Sequence, residues 1–350
     1  MSLAPTNRAF WQDDVNVPSV IRETPSPSKL EEDEVLIKAA AWGMNPADAY
    51  LQSVALPIAK YPMILGEDVA GTIEAVGSGT ASQKFKVGDR VAGYTSPSQG
   101  NAGRGAFQEH VLLNSNLTVK IPDLMSFAEA VVFPVCMATA GHALFAKDYL
   151  GLPYPQLGGA PRTGKTVMIW GGASAVGNNA IQLAKAAGFD VVTTCSAHNF
   201  ELVLGLGADK VFDYHSATVI DDVVAEIDKG ICVGVFQAAG PHDGVEPCLQ
   251  ISHRSKQKLF VACANAVPES GVPEGVEAKF VYGGGDGKVV YYEIGSVIFG
   301  EFFPEALRRG EYKVAPKPEV MPTKGLEGIQ AALDTVKKGV SAKRIVVEAE

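Results

Sequence analysis

Thr166-Val-Met-Ile-Trp-Gly-Gly-Ala-Ser-Ala-Val-Gly177 is the stretch that decides the fold of this 350-residue chain. Its four consecutive apolar residues, 167–170, predict a short buried strand, and the small residues after them predict a tight turn. A second strand is predicted from Phe189 to Thr194. Between turn and second strand, apolar side chains recur at helical spacing, at Ala180, Ile181, Leu183, Ala184 and Ala187.

A strand, a glycine-rich turn and a helix in this order predict a dinucleotide-binding turn. The unpaired N–H groups and the positive dipole end of the helix point at the turn, where a pyrophosphate can lie. Ser174 replaces the middle glycine of G-x-G-x-x-G, so a tight turn without a ligand is the alternative. The surrounding elements favour cofactor binding. The residues predicted to hold the cofactor here are Gly171, Gly172, Ser174, Ala175, Val176 and Gly177.

A second glycine-rich pattern, Gly159-Ala-Pro-Arg-Thr-Gly-Lys-Thr166, matches the phosphate-binding loop of nucleotide triphosphatases letter by letter. That loop requires a strand before it and a helix after it, so that helix N–H groups surround the phosphates. Here a proline-rich loop comes first and the strand at 167–170 follows. We therefore interpret the match as a coincidence.

The composition indicates a globular protein large enough for two domains, with 47% hydrophobic and 20% charged residues. A net charge of -9 argues against nucleic acid or an anionic membrane as the main partner. The start of the chain has no apolar signal core, and no run of about 18 apolar residues occurs. We expect a cytoplasmic protein without a membrane segment. The five cysteines are widely spaced and predict neither disulfides nor a zinc knuckle.

The character of the sequence changes near Pro134. Before it, short strands bounded by glycines predict a β-rich domain, a partly open barrel. After it, strands alternating with helices predict an α/β domain, a doubly wound parallel sheet covered on both faces. A last region follows the glycines at 283–287. The strands expected in the first domain are at 8–11, 34–43, 69–77, 86–93 and 107–113, and the last region is expected to hold helices at 292–309 and 326–338 and a strand at 344–348.

Further motifs resemble those of the medium-chain dehydrogenase/reductases over nearly the whole chain. They are Gly43-Met-Asn-Pro-Ala-Asp48, Gly66-Glu-Asp-Val-Ala-Gly71, Val87-Gly-Asp-Arg-Val91, the 171–177 turn with Ile181-Gln-Leu-Ala184, and the tail motifs 325–333 and 344–347. Within the family the chain is similar to the zinc-free quinone and enoyl reductases, which include fungal trans-acting enoyl reductases. Two motifs indicate this branch, Cys195-Ser-Ala-His-Asn-Phe200 and Val211-Phe-Asp-Tyr214.

This resemblance implies a domain plan. A GroES-like catalytic domain is expected from residues 1–135 and 286–350, around a Rossmann NADPH-binding domain at 136–285. The family places cofactor and substrate in a cleft between the two domains. It also implies a homodimer formed by pairing of Rossmann sheet edges, whereas some fungal relatives resemble monomers.

The residues at the family's zinc positions predict that no metal is bound. Zinc-dependent relatives place a cysteine where Asn45 stands and a histidine where Glu67 stands. A catalytic zinc needs three nitrogen, sulfur or carboxylate ligands, and an asparagine is a poor one. Cys136 is offset by one residue from the third ligand position, and residues 95–106 lack the cysteines of the structural zinc lobe.

The end of the second Rossmann strand decides the choice of cofactor. An acidic residue there would bind the ribose 2′-hydroxyl and repel a 2′-phosphate. This chain has Thr194-Cys195-Ser196 instead, and Asp190 opens the strand. We therefore predict NADPH, although NADH bound with little discrimination is the alternative. The predicted pocket contains Ser196, His198 and Asn199, with Tyr214 by resemblance, and Ala239 is a further predicted cofactor contact.

Without a zinc ion to polarise the substrate, the suitable substrate stabilises its own developing charge, as an enone, an enoyl thioester or a quinone does. Asn45 and Tyr50 are expected to face the nicotinamide, Tyr50 as a proton donor or only as a packing residue. Thr139 matches a family position that contacts the cofactor. The predicted function is NADPH-dependent reduction of a small-molecule conjugated carbonyl or quinone.

Two other functions stay open at this point. One is a trans-acting enoyl reductase that needs a synthase partner and reduces a carrier-bound polyketide chain, for which the basic residues of 253–258 offer a patch. The other is a non-catalytic NADPH-binding sensor, because a fold does not determine a function.

Overall fold

The structure is a computed structural model, and it describes residues 6–27, 29–54, 59–95, 103–239, 244–281 and 290–350. Contacts between residues divide the chain into two compact units. Unit 1 comprises Met1–Val135, Asp286–Arg308 and Lys317–Glu350. Unit 2 comprises Cys136–Gly285 and Arg309–Pro316.

The segment Arg309–Pro316 lies in unit 2, whereas the sequence-based division places it in the catalytic domain. Hydrogen bonds to the helix Ala175–Ala186 of unit 2 hold it there. Tyr312 Oη donates to Asn179 Oδ1 at 2.9 Å, and the backbone N–H of Lys313 donates to Gln182 Oε1 at 2.8 Å.

Unit 1 contains two sheets. A three-stranded sheet has the order β2-β1-β4, and a seven-stranded sheet has the order β15-β16-β3-β5-β6-β8, with β7 also paired to β3. The strands are β1 (Asn7–Gln12), β2 (Val20–Thr24), β3 (Glu34–Gly43), β4 (Met63–Ile64), β5 (Asp68–Val76), β6 (Arg90–Tyr94), β7 (His110–Asn114), β8 (Thr118–Lys120), β15 (Lys317–Val320) and β16 (Lys343–Glu348).

The pairing of β3 with β5 and β16 brings distant residues together at one end of the large sheet. Gly43, the last residue of β3, is opposite Asp68 in β5 and opposite Val346 in β16. The core of this unit is formed by side chains from β3, β5 and the C-terminal region, including Val35, Ile37, Trp42, Val69, Leu333 and Val347.

The helices of unit 1 are short. α1 follows Asn45 and begins with a proline, whose fixed backbone angle suits the first helical position. The helices are α1 (Pro46–Leu51), α2 (Thr80–Lys84), α3 (Phe127–Ala130), α9 (Val290–Gly295), α10 (Phe303–Arg308) and α11 (Ile329–Lys337). The predicted helix at 292–309 is thus interrupted by a π-helical turn, Ser296–Phe302.

One predicted strand starts later than expected. Residues 86–88 form a turn before β6, because Lys86 N–H donates to Asp89 Oδ2 at 2.9 Å and Asp89 N–H donates to Lys86 O at 3.1 Å. Gly88 adopts a φ of 89° in this turn, a backbone conformation that suits glycine.

Unit 2 is a six-stranded parallel sheet in the order β11-β10-β9-β12-β13-β14. Numbered from β9, this is the 3-2-1-4-5-6 order of a Rossmann domain, so the predicted doubly wound fold is confirmed. The strands are β9 (Lys165–Trp170), β10 (Asp190–Cys195), β11 (Lys210–Asp213), β12 (Ile231–Gln237), β13 (Val261–Cys263) and β14 (Ala278–Phe280).

The helices that belong with this sheet are α4 (Pro134–Phe145), α5 (Ala175–Ala186), α6 (Phe200–Gly205), α7 (Val219–Ile227) and α8 (Val245–Arg254). The stretch Phe127–Phe145 is the one candidate membrane span in the described residues, by length and hydropathy, and 78% of its apolar window is buried. A helix buried in a protein core has the same properties.

The pattern Gly159–Thr166 leads directly into β9, so no helix follows it to surround a phosphate.

Candidate functional site

The predicted cofactor-binding turn, residues 171–177 (the cofactor turn), begins directly after β9 and includes the start of α5, and it is held by its own hydrogen bonds. Ser174 caps α5: its Oγ accepts from the Gly177 backbone N–H at 2.9 Å and donates to Ala238 O at 3.2 Å. The backbone N–H of Gly172 donates to Thr194 O at 2.8 Å. The residue that replaces the usual glycine therefore acts as the helix cap.

Two glycines of this turn have no room for a side chain. A Cβ atom on Gly177 would lie 2.3 Å from Gly171 O, and one on Gly172 would lie 2.2 Å from Thr193 Oγ1. The backbone of the turn therefore runs directly against the first turn of α5. The capping bonds leave the backbone amides of Ala175 and Val176 available to an anion, as a helix N-terminus allows.

The carboxyl end of β12 adds a residue to this region. Ala238 N–H donates to Trp170 O at 2.9 Å, and the Cβ of Ala239 lies 2.9 Å from the position a Cβ would take on Gly171. The structure thus brings Ala239 to the cofactor turn. Parallel sheets bind ligands at the carboxyl ends of their strands, and both strands end here.

Gln237 is a residue of this edge that the sequence analysis missed. It is the last residue of β12 and is fully buried, and its Oε1 accepts from the Asn265 N–H at 3.1 Å. Its Nε2 has no hydrogen-bond partner among the described residues. A buried amide without a partner is a costly feature, and its place at the end of a central parallel strand was the available sequence signal.

The carboxyl ends of β10 and β11 bring two of the predicted pocket residues together. Ser196 Oγ donates to Tyr214 Oη at 3.4 Å, and the Tyr214 ring is 44% exposed. His198 is exposed, whereas Asn199 is buried. Asp190 is the first residue of β10 and pairs with Arg162, so it is at the wrong end of the strand to bind the ribose.

In unit 1, a buried polar cluster surrounds the start of α1. Asn45 Nδ2 donates to Asp68 Oδ2 at 3.0 Å, and Arg344 forms a short ion pair with the same oxygen. Asp68 Oδ1 accepts from the Val135 N–H at 2.7 Å. The Asn45 backbone N–H donates to Asp48 Oδ2 at 2.8 Å. Asp48 and Asp68 are both fully buried.

The cluster holds more acid than base. Burial, with a smaller contribution from the nearby Asp68 carboxylate, raises the pKa of Asp48 to about 7. Burial also raises the pKa of Glu67 well above its ordinary value, with contributions from Asp48 and Asp68. Arg344 is the cation that opposes both shifts. Asp48 Oδ1 accepts no hydrogen bond in the described structure, so a second donor that would favour ionisation is missing at that oxygen.

Two family models match this chain. The alcohol dehydrogenase GroES-like domain matches residues 31–123, and the zinc-binding dehydrogenase domain matches residues 175–271. The dehydrogenase azaJ of Aspergillus niger is 40% identical over 352 residues, which cover 98% of this chain and 99% of the relative. The chain belongs to the medium-chain dehydrogenase/reductase superfamily.

A further relative and a solved structure are also similar to this chain over nearly its whole length. The trans-enoyl reductase himH of Aspergillus japonicus is 37% identical over 347 residues, covering 98% of this chain and 97% of the relative. The structure of the mycobacterial protein Rv1454c in complex with NADPH superposes with a TM-score of 0.71 and 24% identity, covering 98% of this chain and 99% of that chain. The predicted family and the GroES-like plus Rossmann fold are thus confirmed.

Three residues were predicted to act in catalysis in this medium-chain dehydrogenase/reductase. Asn45 and Tyr50 lie at the two ends of α1 in unit 1, Asn45 buried and Tyr50 43% exposed. Thr139 is a half-buried residue of α4 and belongs to unit 2. The structure therefore brings Asn45 and Tyr50 onto one short helix.

Asn45, at one of the zinc positions of this family, is not a suitable ligand for a zinc ion. The Asn45 amide donates to Asp68, and Asp68 is paired with Arg344. Asp48 is already an acceptor for the Asn45 N–H. The described residues contain no group of three or more His, Cys, Asp or Glu side chains arranged to hold a metal. Asn45 and the carboxylates of Asp48 and Asp68 are thus used in hydrogen bonds within the protein, so no step of a mechanism is routed through zinc.

The raised pKa of Asp48 predicts how stability changes with pH. The pKa of this carboxyl is higher in the folded protein than in the unfolded chain. Its contribution to the stability of the fold is therefore fully present at pH values below the unfolded pKa, and it is lost as the pH rises through the folded pKa of about 7. Asp48→Asn stays neutral. We expect the difference in unfolding free energy between the variant and the wild type to shift in favour of the variant by about 2 kcal/mol when the pH is raised from 5.5 to 8.5.

Denaturant titrations at the two pH values measure this difference. Asp123→Asn is the matched control, because Asp123 is exposed and should show no such change with pH. An Asp48→Asn variant that differs from the wild type by the same amount at both pH values would contradict the argument.

Proposed function

We propose that this protein is a zinc-independent, NADPH-dependent reductase of conjugated carbonyl compounds or quinones. The observation that carries the proposal is the hydrogen-bonded cluster of Asn45, Asp68 and Arg344. Its Asn45 stands where zinc-dependent relatives have a cysteine ligand, and the amide of Asn45 is bound to Asp68. A substrate reduced there has no Lewis acid to polarise it and must stabilise its own negative charge, as an α,β-unsaturated carbonyl or a quinone does.

The residues of unit 2 would bind NADPH. The pyrophosphate can approach the backbone closely at Gly172 and Gly177, which carry no side chain. It can also accept hydrogen bonds from the backbone amides of Ala175 and Val176 at the start of α5. When bound, the nicotinamide supplies the hydride. The absence of an acidic residue at the end of β10 supports NADPH over NADH, as does the pair formed by Ser196 and Tyr214.

The chain's own part in the reaction is to position the substrate and supply a proton. Tyr50 is the exposed hydroxyl at the C-terminal end of α1, and we propose that it donates the proton or hydrogen-bonds the developing enolate. Asn45 is fixed by its bond to Asp68, so it would contribute a rigid position at the start of the same helix. Thr139 is proposed to contact the cofactor from α4.

A synthase-dependent activity is the second candidate, and the similarity to the trans-enoyl reductase himH favours it. Such an enzyme would reduce an enoyl chain carried by a synthase. The predicted basic patch is partly neutralised, because Arg254 forms an ion pair with Asp221. We propose the cytoplasm as the location under both alternatives.

A substrate panel tests the proposed function. We expect NADPH to be oxidised with an enone, a quinone or an enoyl thioester but not with a simple aldehyde, and the rates to be unchanged by a chelator. Loss of turnover after chelation, with recovery on adding zinc, would contradict zinc independence. NADPH binding without turnover of any free substrate would favour the synthase-dependent enzyme, and a carrier-bound enoyl chain would then separate it from a sensor.

A further inference from the structure

The loops after β10 and β11 place two histidines, His198 and His215, near the carboxylate of Asp213. Asp213 Oδ1 accepts from the His215 backbone N–H at 3.0 Å and lies 2.9 Å from His215 Nδ1. The His215 ring stacks on Tyr214, with 4.0 Å between centroids and 29° between planes. The His215 N–H and imidazole hold the pKa of Asp213 below its ordinary value, and His198 contributes through its charge.

This group adjoins the predicted 2′-phosphate pocket. Tyr214 lies between Asp213 and His215 in sequence and accepts from Ser196 Oγ. Asp213 is also opposite Cys195 in the parallel pairing of β11 with β10. The ends of the two strands therefore carry the serine, the tyrosine, both histidines and the carboxylate on neighbouring loops.

Four elements surround Asp213 and the two histidines: β10, β11, α6 and α7. None of their charged side chains is a lysine or arginine paired with Asp213 in the described structure. On β11, Lys210 is over the Phe212 ring, with 5.7 Å from Nζ to the ring centroid. On β10, the titratable neighbour is the buried Cys195 thiol. Helix α6 contributes the acidic Glu201. On α7, Asp221 pairs with Arg254, Asp222 accepts from Thr218 Oγ1, and Glu226 pairs with Lys229.

Asp213 is paired only with histidine in the described structure. The charge beside the pocket therefore depends on the protonation of the two imidazoles. With both imidazoles neutral, the carboxylate leaves a net charge of about -1, which repels a phosphate. With both protonated, the net charge is about +1, which attracts it. A lysine or arginine in the same place would have kept its charge throughout this pH range.

We propose that His198, His215 and Asp213 make the preference for NADPH over NADH depend on pH. The preference is strong when the histidines are protonated and weak when Asp213 is the remaining charge. Asp213 thereby acts as a specificity-determining residue that opposes the 2′-phosphate. This inference rests on the proposed function, because it assigns roles to residues at the proposed NADPH pocket.

Binding of both cofactors to the full-length protein tests the proposal. Isothermal titration with NADPH and NADH at pH 6.0, 7.0 and 8.5, at constant ionic strength, gives the ratio of their dissociation constants. We expect the preference for NADPH to fall about tenfold from pH 6.0 to 8.5, since two exposed charge interactions are weakened together. NADH serves as the reference because it shares every feature of NADPH except the phosphate.

Three variants assign the effect to residues. In the double variant His198→Gln, His215→Gln, the preference for NADPH should change little with pH. The small change that remains reports titration of the phosphate itself. Asp213→Asn should raise the preference for NADPH at pH 8.5 about threefold to fivefold. His253→Gln, an exposed histidine of α8, is the matched control and should retain the full slope.

A pH slope in the double variant equal to that of the wild type would overturn the inference. A wild-type preference for NADPH that does not change with pH would do the same. Binding of NADH with no binding of NADPH at any pH would overturn both this inference and the proposed use of NADPH. Failure of both cofactors to bind would instead overturn the proposed function together with this inference. The two failures are therefore distinguishable.

Discussion

Arg344→Met is expected to lower the free energy of unfolding of unit 1 by about 3–5 kcal/mol, because it leaves a buried carboxylate without its cation. Asp68 is fully buried, and Arg344 is 4% exposed. The remaining partners of Asp68 are the Asn45 amide and the Val135 N–H, which are neutral donors. Burial already raises the pKa of Asp68, and Arg344 opposes that rise. Without the guanidinium, the carboxyl must take up a proton or bear the cost of a buried charge.

A double-mutant cycle with Asp68→Asn measures this interaction. The double variant should be more stable than Arg344→Met, because it removes the uncompensated charge and keeps an oxygen for the Val135 N–H. The loss in Arg344→Met should also be larger at pH 8.5 than at pH 5.5, since a carboxyl with a raised pKa is protonated in the fold at low pH.

The control for this cycle is the exposed ion pair of Arg254 and Asp221. Arg254→Met should change the unfolding free energy by less than about 1 kcal/mol, as is usual for surface pairs. Chemical denaturation followed by circular dichroism compares the variants. Equal losses in Arg344→Met and Arg254→Met would show that the buried cluster does not stabilise unit 1 in the way argued here.

Gly177→Ala is expected to weaken NADPH binding about 100-fold, because the turn cannot keep its shape around a methyl group. The new Cβ would lie 2.3 Å from Gly171 O and 2.7 Å from Gly172 Cα. Both neighbours are backbone atoms, so the turn must move away from α5. That movement also breaks the bond from the Gly177 N–H to Ser174 Oγ, which caps the helix.

Calorimetric titration with NADPH measures the loss. Gly205→Ala is the matched control, since a Cβ at Gly205 in α6 has no neighbouring atom within 4 Å. This variant should bind NADPH as the wild type does. A Gly177→Ala protein that is folded by circular dichroism and binds NADPH within threefold of the wild type would contradict the assignment of this turn as the cofactor site.

Much of the fold was predictable because its signals are local. The strand at 167–170 and the helix after Gly177 were both predicted from residue spacing, and they are present as β9 and α5. The turn at 86–88 was mistaken for a strand, since Val87 has strand propensity while the Asp89 side chain and Gly88 favour a turn. The π-helical turn at Ser296–Phe302 has no comparable sequence signal.

The sites depended less on local patterns. Gln237 was missed because its position at the edge of the sheet depends on how β12 pairs with β9 and β13. Asp213 and His215 were also missed, although Tyr214 between them was predicted. A carboxylate and a histidine two residues apart are common in loops, and only the stacking of His215 on Tyr214 sets them beside the pocket.

By itself, the sequence determined the family, the doubly wound class of the second domain and the glycine turn. For the turn, 23 consecutive residues from Thr166 to Gly188 carry both the hydrophobic spacing and the small side chains that it requires. The tertiary structure alone decided the charge of the buried cluster in unit 1. Asp68 and Arg344 are separated by 276 residues and meet only because β3 pairs with both β5 and β16. Burial then sets the protonation of the cluster, and burial is a property of the packed fold.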